Sequence, residues 1–253
     1  MCGRFVAKTE IMEVAEYFRA GRVTPLAASL SPSYNVAPSQ LVPVVYEDVS
    51  TGRVLDAFRW GLVPFWARGA RSGARLINAR AETLREKSAF KRPFVQSRCI
   101  VPADGFYEWK ASSAGGKKRP FYFSRRDSGL LAFPGIFRLW HPPSSSLEGE
   151  EAGENAREMV SAEAEASVAI ITSAARGTVA SVHDRMPAVL GEDLWELWLD
   201  RDCQDTEVLS EFLVSGAEDP FVCHEVDPAV GNVRNNHAGL LEFRGSSQLF
   251  DGL

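Results

Sequence analysis

An α+β domain built on a curved, mostly antiparallel sheet, with a barrel-like core and a few peripheral helices, is the fold class that the sequence predicts. Three observations lead there. The chain has 253 residues and is 45% hydrophobic, enough for one substantial core, and a single domain spanning 1–253 is expected. Short runs rich in β-branched and aromatic residues recur from residue 42 to residue 226. Segments with helical periodicity are fewer, and no internal repeat is present.

The strand-like runs are, in order, VPVVYE from Val42, VLDAFRW from Val54, CIVPADGFYEW from Cys99, PFYFS from Pro120, LLAFPGIF from Leu130, SVAIITS from Ser167 and PFVCHEV from Pro220. The first helix is expected over Thr9–Arg19, where Ile11, Met12, Val14, Ala15 and Phe18 form one apolar stripe. Leu84–Phe90, Glu192–Leu199 and Thr206–Leu213 are the other helical candidates. SSAGGKK at 112–118 reads as a hairpin turn between WKA and PFYF. Residues 142–166 are rich in Pro, Ser, Gly, Ala and Glu and nearly free of large apolar side chains, so a flexible acidic surface insertion is expected there.

Composition narrows the function classes. No stretch approaches the roughly 18–20 apolar residues that a membrane span needs, and MCGRFVAKTE has no signal-peptide core, so a soluble, cytoplasmic protein is expected. The cysteines at 2, 99, 203 and 223 form no C-x-x-C pair and no Cys/His cluster at zinc spacing. Neither a disulfide framework, a metal nor a cofactor is expected.

The formal net charge of −5 hides a strong asymmetry. Between Glu148 and Glu165 there are seven Glu and one Arg, whereas Arg59–Arg98 carries ten Lys or Arg against two Glu, a net of +8. Such a basic segment fits a polyanion.

Chemistry is suggested by position as much as by type. Once Met1 is removed, Cys2 carries an α-amine and a thiol on one residue, with ordinary pKa values of about 7.7–8.0 and about 8.5. A 1,2-aminothiol condenses with an aldehyde to an imine, and the thiol then closes a thiazolidine. Asn78 in LINARAET, Glu108 in VPADGFYEW and His183 in SVHDRMP are polar side chains in apolar or turn-rich surroundings. Together with Cys2 they supply a nucleophile, a carboxylate, an imidazole and an orienting amide, a complete set for carbonyl chemistry.

The segments MCGRF (2–5 after Met1), YNVAPSQ (34–40), RWGLVPFW (59–66), INARAET (77–83), CIVPADGFYEW (99–109), ITSAA (171–175), HDRMPAVL (183–190) and VGNVRN (230–235) occur in one order along the chain. In this set the chain resembles the SRAP (SOS-response-associated peptidase) family. The resemblance implies the SRAP fold and a monomer that binds single-stranded DNA, above all near a junction with duplex, and links covalently to the aldehyde of an abasic site. It implies that Met1 is removed autoproteolytically and that an AP-lyase activity can accompany capture. By motif, Cys2 supplies both nucleophiles, Asn78 orients the terminus, Glu108 acts as general acid/base and His183 shuttles protons. Arg4, Arg80 and Arg185 are expected on phosphates, Phe65 and Trp66 stacked or wedged against bases, and Asn35 and Pro38 along the same cleft.

The chain departs from the family pattern in three places. Phe65-Trp66 stands where many members have two tryptophans; Ser88, beside Lys87, stands where an arginine can occur; and the acidic insertion is longer than usual. That insertion is expected to point away from DNA. Two other classes stay open on the residues alone: an N-terminal-nucleophile amidohydrolase using Cys2, and a non-catalytic reader of modified cytosine.

Overall fold

The computed structural model describes residues 2–67, 76–112, 115–140, 165–215 and 221–244. Most of the expected 142–166 insertion, with Arg68, Arg71, Arg75 and Met1, lies outside the described residues. At its end the expectation is corrected, because Glu165 and Ala166 already belong to a strand and pair with Trp140 and Leu139.

The fold is α+β, as expected, with mostly antiparallel pairing. Strands β1 (Phe5–Ala7), β3 (Ser33–Val36), β8 (Gly105–Lys110), β9 (Arg119–Arg125) and β13 (Phe221–Glu225) form one sheet in the order β13-β9-β8-β1-β3. The second sheet runs β12 (Arg185–Pro187), β11 (Glu165–Ala174), β10 (Leu131–Trp140), β7 (Arg98–Ala103), β4 (Leu41–Asp48), β5 (Gly52–Trp60) and β2 (Arg22–Val23). It also closes on itself. Parallel pairing of Ser167 with Arg59 and Val168 with Trp60 joins β11 to β5, so β5-β4-β7-β10-β11 form a ring.

The ring strands are buried on both faces, which is why they read as nearly continuous apolar runs. Along β11, Val168 and Ile170 pack with Phe5, Trp60, Phe106 and Phe133 against the five-stranded sheet. Ala169 and Ile171, pointing the other way, pack with Phe18, Phe94, Trp195 and Trp198 under the helices.

Several sequence boundaries shift for local reasons. CIVPADGFYEW is two strands in different sheets, split at Asp104, whose carboxylate accepts from the backbone N–H groups of Lys8 and Thr9 at 2.6 and 3.1 Å. Gly105 must follow, since a Cβ there would lie 2.4 Å from the Phe123 carbonyl oxygen. The first helix is Ile11–Tyr17; it buries Val14 and Ala15 while Met12 faces solvent, so Met12 leaves the expected stripe. Instead of a helix over Leu84–Phe90 there is a 3-10 turn at Ala81–Thr83 and a helix at Ser88–Gln96. That helix tolerates Pro93 because Ala89, Phe90, Pro93 and Phe94 are all buried. The expected Glu192–Leu199 helix divides into a 3-10 turn at Glu192–Leu194 and a helix at Trp195–Leu199, and the last helix is Thr206–Ser215.

One buried cation ties ring to helices. Arg98 donates to the carbonyl oxygens of Phe94, Val95 and Trp198 at 3.0, 2.7 and 2.7 Å, and also to those of Asp200 and Cys203. Arg98→Met should cost on the order of 3–5 kcal/mol, because it strands several buried carbonyls at once. The midpoint of urea unfolding measures it.

Candidate functional site

The second half of β11 organises the site. On one side, β6 (Asn78–Arg80) runs parallel to it, with Asn78 opposite Ile170 and Arg80 opposite Thr172. On the other side β12 runs antiparallel, with Arg185 opposite Ala174. His183 sits just before β12, after the short helix Gly177–Ala180, and its backbone N–H donates to the Val179 carbonyl at 3.0 Å. Glu108 comes from the other sheet, on β8, which pairs with β1 directly behind the N-terminus.

These elements bring the four expected residues together. Cys2 is 0% exposed and packs in the cluster of Phe5, Trp60 and Ile170. Its carbonyl oxygen accepts from Asn78 Nδ2 at 2.7 Å, which fixes the terminal peptide to β6. The other end of the amide, Asn78 Oδ1, is buried without a hydrogen-bond partner among the described residues. It is a buried acceptor without a donor, the kind of atom that an ammonium or amine proton satisfies.

Glu108 is 2% exposed, and its Oε2 lies 3.8 Å from His183 Nε2. Burial raises the Glu108 carboxyl above the ordinary carboxylate range, while the field of His183 works in the opposite direction. Burial also pushes the Cys2 thiol well up, and the charge of Glu108 adds to the effect. At rest the sulfur is therefore a thiol, not a thiolate.

The His183 ring is oriented by its own turn. His183 Nδ1 lies 3.0 Å from the Arg185 backbone nitrogen and 3.2 Å from the Arg185 carbonyl oxygen, which turns Nε2 toward Glu108. Asp184 Oδ1 lies 3.0 Å from the same Nδ1.

The expected DNA-contacting residues divide into two groups. Phe65 and Trp66 are 57% and 54% exposed, with ring centroids 4.8 Å apart and planes at 84°. Their loop is aimed by Gly61, whose φ of +129° is open to glycine and whose N–H donates to the Val168 carbonyl at 2.8 Å. A bridge between Leu62 and Leu76 fastens this loop two residues before Asn78. Arg80 is exposed and forms no ion pair among the described residues, and Pro38 is half-buried.

Arg185, Asn35 and Arg4 each make contacts within the protein that shape the same part of the fold. Arg185 holds Glu82 with Nη1 and Nη2 at 2.7 and 3.1 Å and the Thr172 carbonyl at 2.7 Å. It clamps the end of β11 to the turn after β6. Asn35 is 1% exposed, and its Nδ2 lies 3.2, 3.1 and 2.8 Å from the carbonyls of Val230, Asn232 and Asn235. Arg4 donates to Asn35 Oδ1 and the Val230 carbonyl, both at 2.8 Å. The two residues fasten the 228–235 segment beside β1, and burial lowers the Arg4 pKa.

Glu82 and Thr172 were not singled out in the sequence, although both fall within quoted segments. An acid two residues after Arg80 was the available signal for Glu82. Among the described residues no cluster of His, Cys, Asp and Glu could hold a metal ion, and no helix is long and apolar enough to cross a membrane.

Comparison with known proteins shows the family and the fold. The family model described as SOS response associated peptidase (SRAP) matches residues 1–233. The abasic site processing protein YoqW of Bacillus subtilis is 36% identical over 242 residues, covering 96% of this chain and 99% of that protein. The abasic site processing protein HMCES of Gallus gallus is 32% identical over 252 residues, covering 87% of this chain and 67% of its own length. A crystal structure of a Bacteroides thetaiotaomicron protein superposes with a TM-score of 0.76 at 22% identity, covering 96% of this chain and all of that one, which speaks for the shared fold. With a family match over nearly its whole length and relatives of this closeness, the chain belongs to the SOS response associated peptidase (SRAP) family.

Proposed function

We propose that this protein processes abasic sites in single-stranded DNA, including those near a junction with duplex, by capturing the ring-opened sugar on Cys2. The observation that carries the reading is the Cys2 carbonyl held by Asn78 beside the buried Glu108 and its His183 neighbour. The likeness to proteins named for abasic site processing supports it.

In this reading Met1 is first removed by the chain's own site, with Glu108 and His183 moving the proton. The freed α-amine attacks the C1′ aldehyde and expels one water as the imine forms. The Cys2 sulfur then adds to the imine carbon while its proton passes to the nitrogen, closing a thiazolidine. Amine before thiol is the order that the raised thiol pKa favours. Glu108, kept protonated to higher pH than an ordinary carboxyl, donates to the departing ring oxygen, and His183 assists reversal through the imine. The same imine, if it loses a proton at C2′, allows β-elimination and a lyase reaction.

DNA is held by surface and charge rather than by sequence. Phe65 and Trp66 stack on bases flanking the lesion, worth about 1–3 kcal/mol per base. Pro38 lines the approach. The unit that acts is one chain, in the cytoplasm.

Incubation with an abasic oligonucleotide followed by intact mass spectrometry tests the reading. The expected product is the chain without Met1 plus the oligonucleotide less one water. Absence of any adduct under conditions where the strand binds would refute covalent capture. For the reversible contact, Arg80→Ala should weaken binding and lower the slope of log affinity against log salt by about 0.7, one phosphate of a single strand. Anisotropy titrations across a salt series measure it, and an unchanged slope takes Arg80 off the phosphates.

A further inference from the structure

Beside the Phe65 ring stands a cation outside the quoted family segments. Arg138, on β10, pairs with Ser167 of β11. Ser167 Oγ accepts from the Val63 backbone N–H at 3.0 Å, which seats the aromatic loop on this part of the ring. The Arg138 guanidinium then lies 5.6 Å from the centroid of the Phe65 ring. Its Nε is buried and has no hydrogen-bond partner among the described residues, and no described carboxylate pairs with it. Glu165, two residues before Ser167 on β11, is taken by Arg59.

A second cation, Arg92, projects from the Ser88–Gln96 helix, which packs against β10. Burial first, and then the field of Arg92, lower the Arg138 pKa. Two guanidinium groups without an acid between them repel, and a half-buried one loses hydration as well. An anion with several acceptor oxygens turns both costs into charge-assisted hydrogen bonds. The exposed aromatic beneath Arg138 adds a stacking face, the combination that single-stranded nucleic acid occupies.

We propose that Arg138, with Arg92 of the adjoining helix adding positive field, grips a backbone phosphate of the strand whose bases stack on Phe65 and Trp66, so that wedge and clamp act as one unit. The inference rests on the reading that this face binds DNA. It concerns how unreacted strand is held, and is independent of the Cys2 chemistry.

Anisotropy titrations of a labelled single strand without an abasic site test it, across about 50–200 mM salt, for the parent, R138Q, R138K and R92Q. R138Q is expected to bind about three- to tenfold more weakly and to lose about 0.7 of the salt slope, with R92Q losing less and R138K keeping most of the slope. Unchanged affinity and slope in both R138Q and R92Q would overturn the clamp and leave Arg138 as a packing support for Phe65. Should R138Q melt early, R138K and R92Q carry the test, since Arg92 is exposed: a slope reduced in R92Q supports the clamp and an unchanged one overturns it. Adduct formation with an abasic strand is measured in parallel. An adduct with an unaltered slope removes the clamp alone, whereas an altered slope without adduct removes the capture chemistry and leaves the clamp in place.

Discussion

Replacing Cys2 by alanine is expected to abolish the heat-stable product with an abasic strand, while reversible binding stays within about threefold of the parent. The α-amine survives this change wherever Met1 is still removed, so imine can form, but no sulfur closes the ring. The imine is labile and should appear only after borohydride reduction. Retention of Met1 gives a different outcome: the chain binds DNA but gives no heat-stable product, because no free amine stands beside the Cys2 thiol to let the ring close. Intact mass spectra with and without reduction separate these cases. A heat-stable adduct from Cys2→Ala would show that another residue is the nucleophile.

The second large effect is expected at Glu108. Glu108→Gln keeps the shape of the side chain but can neither give nor take the proton, and adduct formation should slow by about 10²–10³-fold. The pH dependence has a definite sign. Burial raises the Glu108 pKa, so the protonated form that opens the sugar ring persists above the ordinary carboxylate range and is lost as pH rises through the raised value. The parent rate should fall across that interval, and the glutamine variant should lose this limb. Stability shares the linkage. A folded-state pKa above the unfolded one means that folded protein binds more protons, so stability declines from the ordinary carboxylate value up to the raised one. Glu108→Gln removes that decline, and thermal melts at several pH values read it. A variant both slower and flat in stability against pH, relative to the parent, separates proton transfer from a folding defect.

The meeting of Asn78 and Glu108 at the N-terminus was foreshadowed in the sequence by local incongruity. A carboxylate within GFYEW and an amide within LINAR are out of place on apolar strands, and both side chains lie beside the N-terminal residues. The ring strands were legible because burial on both faces leaves long apolar runs. What the sequence concealed was commitment. Arg185 and Arg80 look alike as basic residues in short motifs, yet Arg185 is spent on Glu82 and Thr172 while Arg80 is exposed. That Asn35 also staples the 230–235 segment, nearly two hundred positions away in sequence, is visible only in the fold. Arg138 gave no signal, since a single Arg in GIFRLW resembles any solvent-facing strand residue. Pairings across the fold decide these cases, and single-residue context does not contain them.

Closure of the ring between β5 and β11 also has a kinetic meaning. The first ring strand begins at Leu41, but the joint forms only when Ser167 and Val168 have been made and have met Arg59 and Trp60. Asn78 gains its place on Ile170 through the same event, and His183 follows later still. Contacts separated by so much chain form late and slowly. During synthesis the N-terminus therefore emerges first and receives its chemical surroundings last. Cys2 spends that interval without Glu108 and His183 fixed around it, and its surroundings are complete only with the whole domain.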